Sequence, residues 1–203
     1  MAAPYTVLFF GKSGAGKGTQ AALLIKTFER LDSTKRTIYV ETGQRFRSFV
    51  DTSGSYMARR IKEVMVAGKF LPPFIPIWTW TQFFVDEIKT GDENMVFDGV
   101  CRQPEEAPVL DSALQFLGRG KPVVILLDIH HDKVTKRLLE RGRFDDTKER
   151  IAERLRSFEK EAMVVINLLK ASPNVRFVTI DGDQTIEKVH EDILKTLGVS
   201  GRI

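Results

Sequence analysis

The sequence predicts an α/β fold, a doubly wound five-stranded parallel sheet. Three observations point to it. Five short runs are rich in Val, Ile, Leu or Phe without strict apolar–polar alternation, the pattern of strands covered on both faces. Helical patterns separate the runs, and strand–helix alternation builds βαβ units. The first run ends in a Gly-rich turn that opens a helix. Ligands on such sheets sit outside the carboxyl ends of the strands, so the residues following each strand are the first candidates for chemistry.

In chain order the strand segments are Tyr5–Phe10, Thr37–Glu41, Asn94–Asp98, Pro122–Ile129 and Val175–Ile180. Apolar residues recur at helical spacing in Lys17–Arg30, Gly54–Ala67, Ile75–Lys89, Glu105–Leu117, Asp132–Arg141, Asp146–Leu169 and Thr185–Leu197. Two places break the alternation. Thr42–Glu93 is too long for one crossover helix, so part of it is expected to form a small subdomain, with Pro72, Pro73 and Pro76 marking its exit. Arg141-Gly142-Arg143-Phe144-Asp145-Asp146 is a tight charged turn between two helices. Trp78, Trp80, Phe83 and Phe84 share one helix and are expected in the core.

Composition narrows the class. With 203 residues, 42% hydrophobic and 29% charged, the chain reads as one globular domain and not as a disordered tract. A net charge of +4 is mild and does not call for a nucleic-acid partner. The single cysteine, Cys101, excludes an internal disulfide and suits a reducing compartment. No run is long and apolar enough to span a bilayer, and the first residues lack the pattern of a signal peptide. A cytoplasmic monomer without membrane contact is expected.

The strongest motif is Gly11-Lys-Ser-Gly14-Ala15-Gly16-Lys17-Gly18-Thr19-Gln20, between the first strand and the first helix. That is the context a P-loop requires, and it makes the fold one of the P-loop NTPase type. Gly14, Gly16 and Gly18 let backbone N–H groups face phosphate oxygens, while the helix points its positive end at the same anion. Lys17 can reach the β- and γ-phosphates, and the Thr19 hydroxyl suits Mg²⁺. Asp98 ends the third strand, where a carboxylate can order the water shell of a phosphate-bound Mg²⁺. His130, His131, His190 and Cys101 form no zinc-ligand pattern. Lys133, Lys136, Lys148 and Arg150 read as a solvated basic face, and Asp145 and Asp146 both as caps of the following helix and as partners of arginines.

The P-loop variant resembles that of the adenylate kinase family of nucleoside monophosphate kinases. The resemblance continues through Thr42-Gly43, Arg47, Ala67-Gly68-Lys69-Phe70-Leu71-Pro72, Asp98-Gly99-Val100-Cys101-Arg102, Arg141–Asp146, Arg154 and Asp181-Gly182, in family order over nearly the whole chain. It implies strand order 2-3-1-4-5, an acceptor-binding subdomain over 42–72, and transfer of the γ-phosphoryl of Mg-ATP to a nucleoside monophosphate. By the same resemblance Gly14, Ala15, Gly16, Lys17, Gly18, Thr19, Arg137 and Gln184 bind ATP, with Arg137 over the donor base. Thr42, Arg47, Lys69, Phe70, Leu71, Gly99, Arg102, Glu106 and Arg154 bind AMP, with Arg102 on its α-phosphate. Lys17, Arg102, Arg141, Arg143 and Arg154 surround the transferring group, and Thr19 and Asp98 hold Mg²⁺ through water. A P-loop hydrolase or switch is the rival class, but it leaves Thr42, Arg47 and Arg102 without a role.

Three departures from the family pattern shape the expectations. Val100 and Cys101 stand where the family has Phe-Pro, so the turn can differ and Cys101 is read as a small turn filler. Arg141-Gly142 joins Arg143-Phe144-Asp145-Asp146 directly, which leaves a minimal lid over 141–146 with no room for a four-cysteine zinc site. Glu106 stands where related adenylate kinases carry a base-reading Gln. A carboxylate only accepts, so it suits the N6–H of adenine but meets N1 unfavourably, and guanine offers it two donors. AMP remains the expected acceptor, with GMP or relaxed specificity open. Gln103, backbone groups near Leu71 or a bridging water are the other candidate readers.

Overall fold

The structure is a computed structural model, and it describes residues 3–142 and 146–199. The strands β1 (Thr6–Phe10), β2 (Thr37–Glu41), β3 (Asn94–Asp98), β4 (Val123–Asp128) and β5 (Arg176–Asp181) form one sheet in the order β2-β3-β1-β4-β5. All four pairings are parallel. Parallel neighbours need crossovers, and helices supply them: α1 (Lys17–Leu31), α2 (Thr42–Thr52), α3 (Tyr56–Val66), α4 (Phe74–Glu87), α5 (Glu106–Phe116), α6 (His131–Arg141), α7 (Lys148–Ser157), α8 (Met163–Ala171) and α9 (Ile186–Leu197). Among the described residues no helix is long and apolar enough to cross a membrane.

Alternation along β1 explains why the strand is apolar throughout. Val7 and Phe9 enter one core cluster with Leu24, Phe28, Leu138 and Ile193. Leu8 and Phe10 point the other way, into a second cluster with Trp80, Phe97, Leu114 and Ile166. Every residue of β1 is buried, and each large apolar side chain so covered contributes roughly 1.5–3 kcal/mol. A third, small cluster of Phe46, Ile61, Leu71 and Ile75 holds α2, α3 and the start of α4 together. Only a few large side chains bind that helical unit to itself.

Three local expectations are revised. Thr42–Thr52 is a helix that the sequence did not announce, because Gly43 near its start hides its register. The long segment after Thr147 is two helices joined by a π-helical turn, Phe158–Ala162. The turn lies where packing changes over: Ile151 and Leu155 belong to the first cluster, Val165 and Ile166 to the second. Trp80 is 0% exposed as expected, but Trp78 is 59% exposed on the opposite face of α4.

Candidate active site

β1 lies between β3 and β4, and its P-loop opens beside the ends of both. A cavity of about 630 Å³ runs from there to the α2–α3 unit. Register aligns the strand ends that border it: Glu41 of β2 faces Asp98 of β3, and Asp98 faces Phe9 of β1.

The P-loop is shaped by two steric demands. Gly11 has φ +140°, and a Cβ there would sit 2.6 Å from the Leu127 carbonyl oxygen. Gly16 caps α1 in the left-handed region at φ +92°, which favours glycine. Lys17 Nζ donates to the carbonyls of Gly11 (2.9 Å) and Lys12 (3.0 Å), so the ammonium is curled over its own loop. Burial pulls the Lys17 ammonium down to about 8, Asp98 pulls it back up, and Arg102 and Arg141 press it further down. Gly14, Gly16, Gly18 and Thr19 line the cavity. Ala15 does not. It is buried, and its N–H donates to the Lys12 carbonyl at 3.0 Å.

Asp98 is nearly buried at the end of β3 and accepts from the Tyr39 hydroxyl at 3.3 Å. Its Oδ2 lies against the first turn of α1, 3.5 Å from where a Cβ on Gly18 would stand. Asp98 and Thr19, both hard oxygen donors that line the cavity, fit a magnesium ion carried by a nucleotide phosphate. Among the described residues no cluster of three His, Cys, Asp or Glu side chains could hold a metal on its own.

On the other side, Thr42 Oγ1 donates to the Gly99 carbonyl at 2.9 Å, pinning α2 to the loop after β3. Arg47 reaches back to Glu41, 3.2 Å away. The Arg102 guanidinium folds over Gly99, whose missing side chain makes the space, and stands 5.9 Å from the Phe70 ring. Lys69, Phe70 and Leu71 line the cavity with them.

A carboxylate collects the remaining arginines. Asp146 accepts two bonds from Arg141 at 2.9 Å each and one from Arg154 at 2.6 Å. Burial works to raise the Asp146 carboxyl, but the bonds from Arg141 and Arg154 overcome it and hold the group below the usual carboxylate range. Asp146 therefore acts as an arginine partner, and the α7 cap is Thr147, which accepts from the Arg150 N–H. Arg137, Arg141 and Arg154 all line the cavity. Arg143 and Asp145 lie outside the described residues.

Two expectations are corrected. Glu106 does not offer its carboxylate to a base. It is 1% exposed, and Oε1 accepts from the N–H groups of Arg102 (2.9 Å) and Gln103 (3.1 Å). Oε2 accepts from Cys101 N–H (3.1 Å) and the Trp80 indole (3.3 Å), which leaves no lone pair for a ligand. Burial pushes its pKa up despite those donors. Gln184, unlike Glu106, does not line the cavity. Its amide bonds the Asp181 carbonyl and the Asp192 carboxylate, both at 3.1 Å. Cys101 is fully buried with φ 60°, and burial raises its thiol far from reactive range, as a turn filler requires.

Tyr39, Glu41, Phe46, Met65 and Phe158 line the same cavity without having been singled out as site residues. Glu41 and Tyr39 belong to a strand already recognised, so their proximity to its carboxyl end was the available signal.

Comparison with known proteins agrees with this geometry. The adenylate kinase family model matches residues 9–173. The chain is 31% identical to adenylate kinase 1 of Nostoc sp. over 95% of its own length and 98% of that protein. It is 30% identical to an adenylate kinase of Prochlorococcus marinus over the same two shares. An adenylate kinase of Corynebacterium glutamicum is 29% identical with equal coverage. A P-loop whose lysine faces a cavity ringed by arginines and an enclosing family match place this chain in the adenylate kinase family of nucleoside monophosphate kinases.

Proposed function

We propose that the cavity transfers the γ-phosphoryl group of Mg-ATP to AMP, giving two ADP. The observation that carries this is the convergence of Lys17, Arg47, Arg102, Arg141 and Arg154 on one cavity long enough to reach from the P-loop to the α2–α3 unit. An oxygen of the acceptor phosphate attacks the γ-phosphorus, and the bond from that phosphorus to the β,γ-bridging oxygen breaks. The nucleophile is already anionic, so no strong base is needed. Catalysis then rests on alignment and on cations placed where charge gathers.

In this reading the P-loop N–H groups of Gly14, Gly16 and Gly18 cradle the donor phosphates, and Lys17 exchanges its two carbonyl partners for phosphate oxygens. Arg47 and Arg102 clamp the acceptor phosphate, Arg141 and Arg154 flank the moving group, and Arg137 lies over the donor base. Thr19 and Asp98 are the residues that would hold Mg²⁺, which when bound neutralises charge on the β- and γ-oxygens. The short stretch 141–146 serves as a minimal lid, and 42–72 as the acceptor-binding subdomain. The mild net charge of +4 and the single cysteine suit a monomer acting on small nucleotides in the cytoplasm.

A coupled assay with AMP, GMP, CMP and UMP as acceptors and ATP or GTP as donor tests the proposal. ATP with AMP is expected to give the highest kcat/KM. Equal turnover without any monophosphate would contradict it.

A further inference from the structure

With the Glu106 carboxylate fully occupied, the base-binding end of the cavity needs another reader. Phe46 and Leu71, with Met65 packed against their cluster, line the cavity at the α2–α3 unit and give it an apolar wall suited to an aromatic base. Gln103 carries the one side-chain amide that lines the cavity among the described residues. Its Nε2 donates to the Leu71 carbonyl at 2.7 Å. A carbonyl only accepts, so the amide cannot be turned the other way without setting two oxygens against each other. Gln103 Oε1 is thereby presented as an acceptor of fixed orientation, and no hydrogen bond from a described residue occupies it.

We infer that Gln103, locked by the Leu71 carbonyl, is the specificity-determining residue of the acceptor site and reads the exocyclic amino group of the base through Oε1. The 6-amino group of adenine donates to such an acceptor, whereas the 6-oxo group of hypoxanthine or guanine opposes it. Glu106 is then a positioning residue. By gathering the N–H groups of Cys101, Arg102 and Gln103 it fixes the loop that aims Gln103 at the base and Arg102 at the phosphate. The inference rests on the kinase reading above.

The test compares AMP, purine riboside monophosphate, which lacks the 6-amino group, and IMP, which has an oxo group there. Wild type is expected to favour AMP over purine riboside monophosphate by on the order of tenfold in kcat/KM, and over IMP by on the order of a hundredfold. In Gln103→Leu the preference over purine riboside monophosphate collapses toward unity while the ATP KM stays put. Wild type treating AMP and purine riboside monophosphate alike overturns the inference, even where the variant fails to fold. So does a folded Gln103→Leu that keeps the wild-type ratio. Transfer to none of the three by wild type overturns the kinase reading itself, and this inference with it.

Discussion

The two ends of the cavity are held by different means. At the P-loop end Lys17 is tied to carbonyls five and six residues away in its own loop, and Gly11 packs against the end of β4. At the acceptor end the bonds join distant segments: Thr42 to Gly99, Gln103 to Leu71 and Trp80 to Glu106, separated by 57, 32 and 26 residues. The P-loop end is anchored to the buried sheet, whereas the small cluster of Phe46, Ile61, Leu71 and Ile75 packs α2 and α3. In the proposed reading donor binding therefore rests on local backbone geometry and acceptor binding on a few tertiary contacts, where the larger motion is expected.

The largest expected break of this comparison is Lys17→Ala. It removes the cation over the donor phosphates without touching the core, so turnover should fall by on the order of 10²–10³ while the circular dichroism spectrum is unchanged. Near-normal turnover in the folded variant would take Lys17 out of the mechanism.

Asp146→Ala comes next. It frees Arg141 and Arg154 from the carboxylate that spaces them, leaving both guanidinium groups without that partner. A loss of on the order of tenfold to a hundredfold in kcat is expected, along with a lower Tm. Because the native Asp146 carboxyl is held below its ordinary range, its contribution to stability is present above that range and is lost as pH falls through the depressed value. An acid unfolding midpoint that rises in Asp146→Ala would show this; an unchanged midpoint would deny it.

Glu106→Gln sharpens the contrast at the acceptor end. An amide nitrogen cannot accept, and each carboxylate oxygen takes two donors, so two of the four donors on Glu106 lose their partner, at a cost of about 1–3 kcal/mol each measured by denaturant unfolding. The AMP-to-GMP preference is expected to weaken, because the loop that aims Gln103 loses N–H partners. A sharpened preference would restore Glu106 as a base reader.

These outcomes also mark what the sequence disclosed. The fold and the P-loop were legible because their signals are contiguous: five buried runs, and a Gly-rich turn between a strand and a helix. The arginines were legible from motif positions, and Arg137, Arg141 and Arg154 do line one cavity. Glu106 stands at the motif position, but its carboxylate is taken up by the chain's own donors. The fate of its carboxylate depends on the Trp80 indole from α4 and on three backbone N–H groups of a turn with Cys101 at φ 60°, none of which a linear pattern encodes. Gln184 was carried over by position, while its amide is consumed by Asp181 and Asp192.

The smallest expected effect is on the pH dependence of donor binding. Burial lowers the Lys17 ammonium to about 8 in the free enzyme. A bound polyphosphate favours the ammonium, so ATP affinity should be highest below pH 8 and decline as pH rises through it. Calorimetry at pH 8.5 in buffers of different ionisation enthalpy should show proton uptake on binding. No uptake would mean that the lysine keeps its ordinary pKa in the empty site.

The most direct measurement is ADP formation from Mg-ATP by the purified enzyme, with and without AMP. Rapid formation of two ADP for each ATP consumed, dependent on AMP, is expected. Comparable ADP formation without AMP, accompanied by release of inorganic phosphate, would contradict the assignment and make the cavity that of a hydrolase.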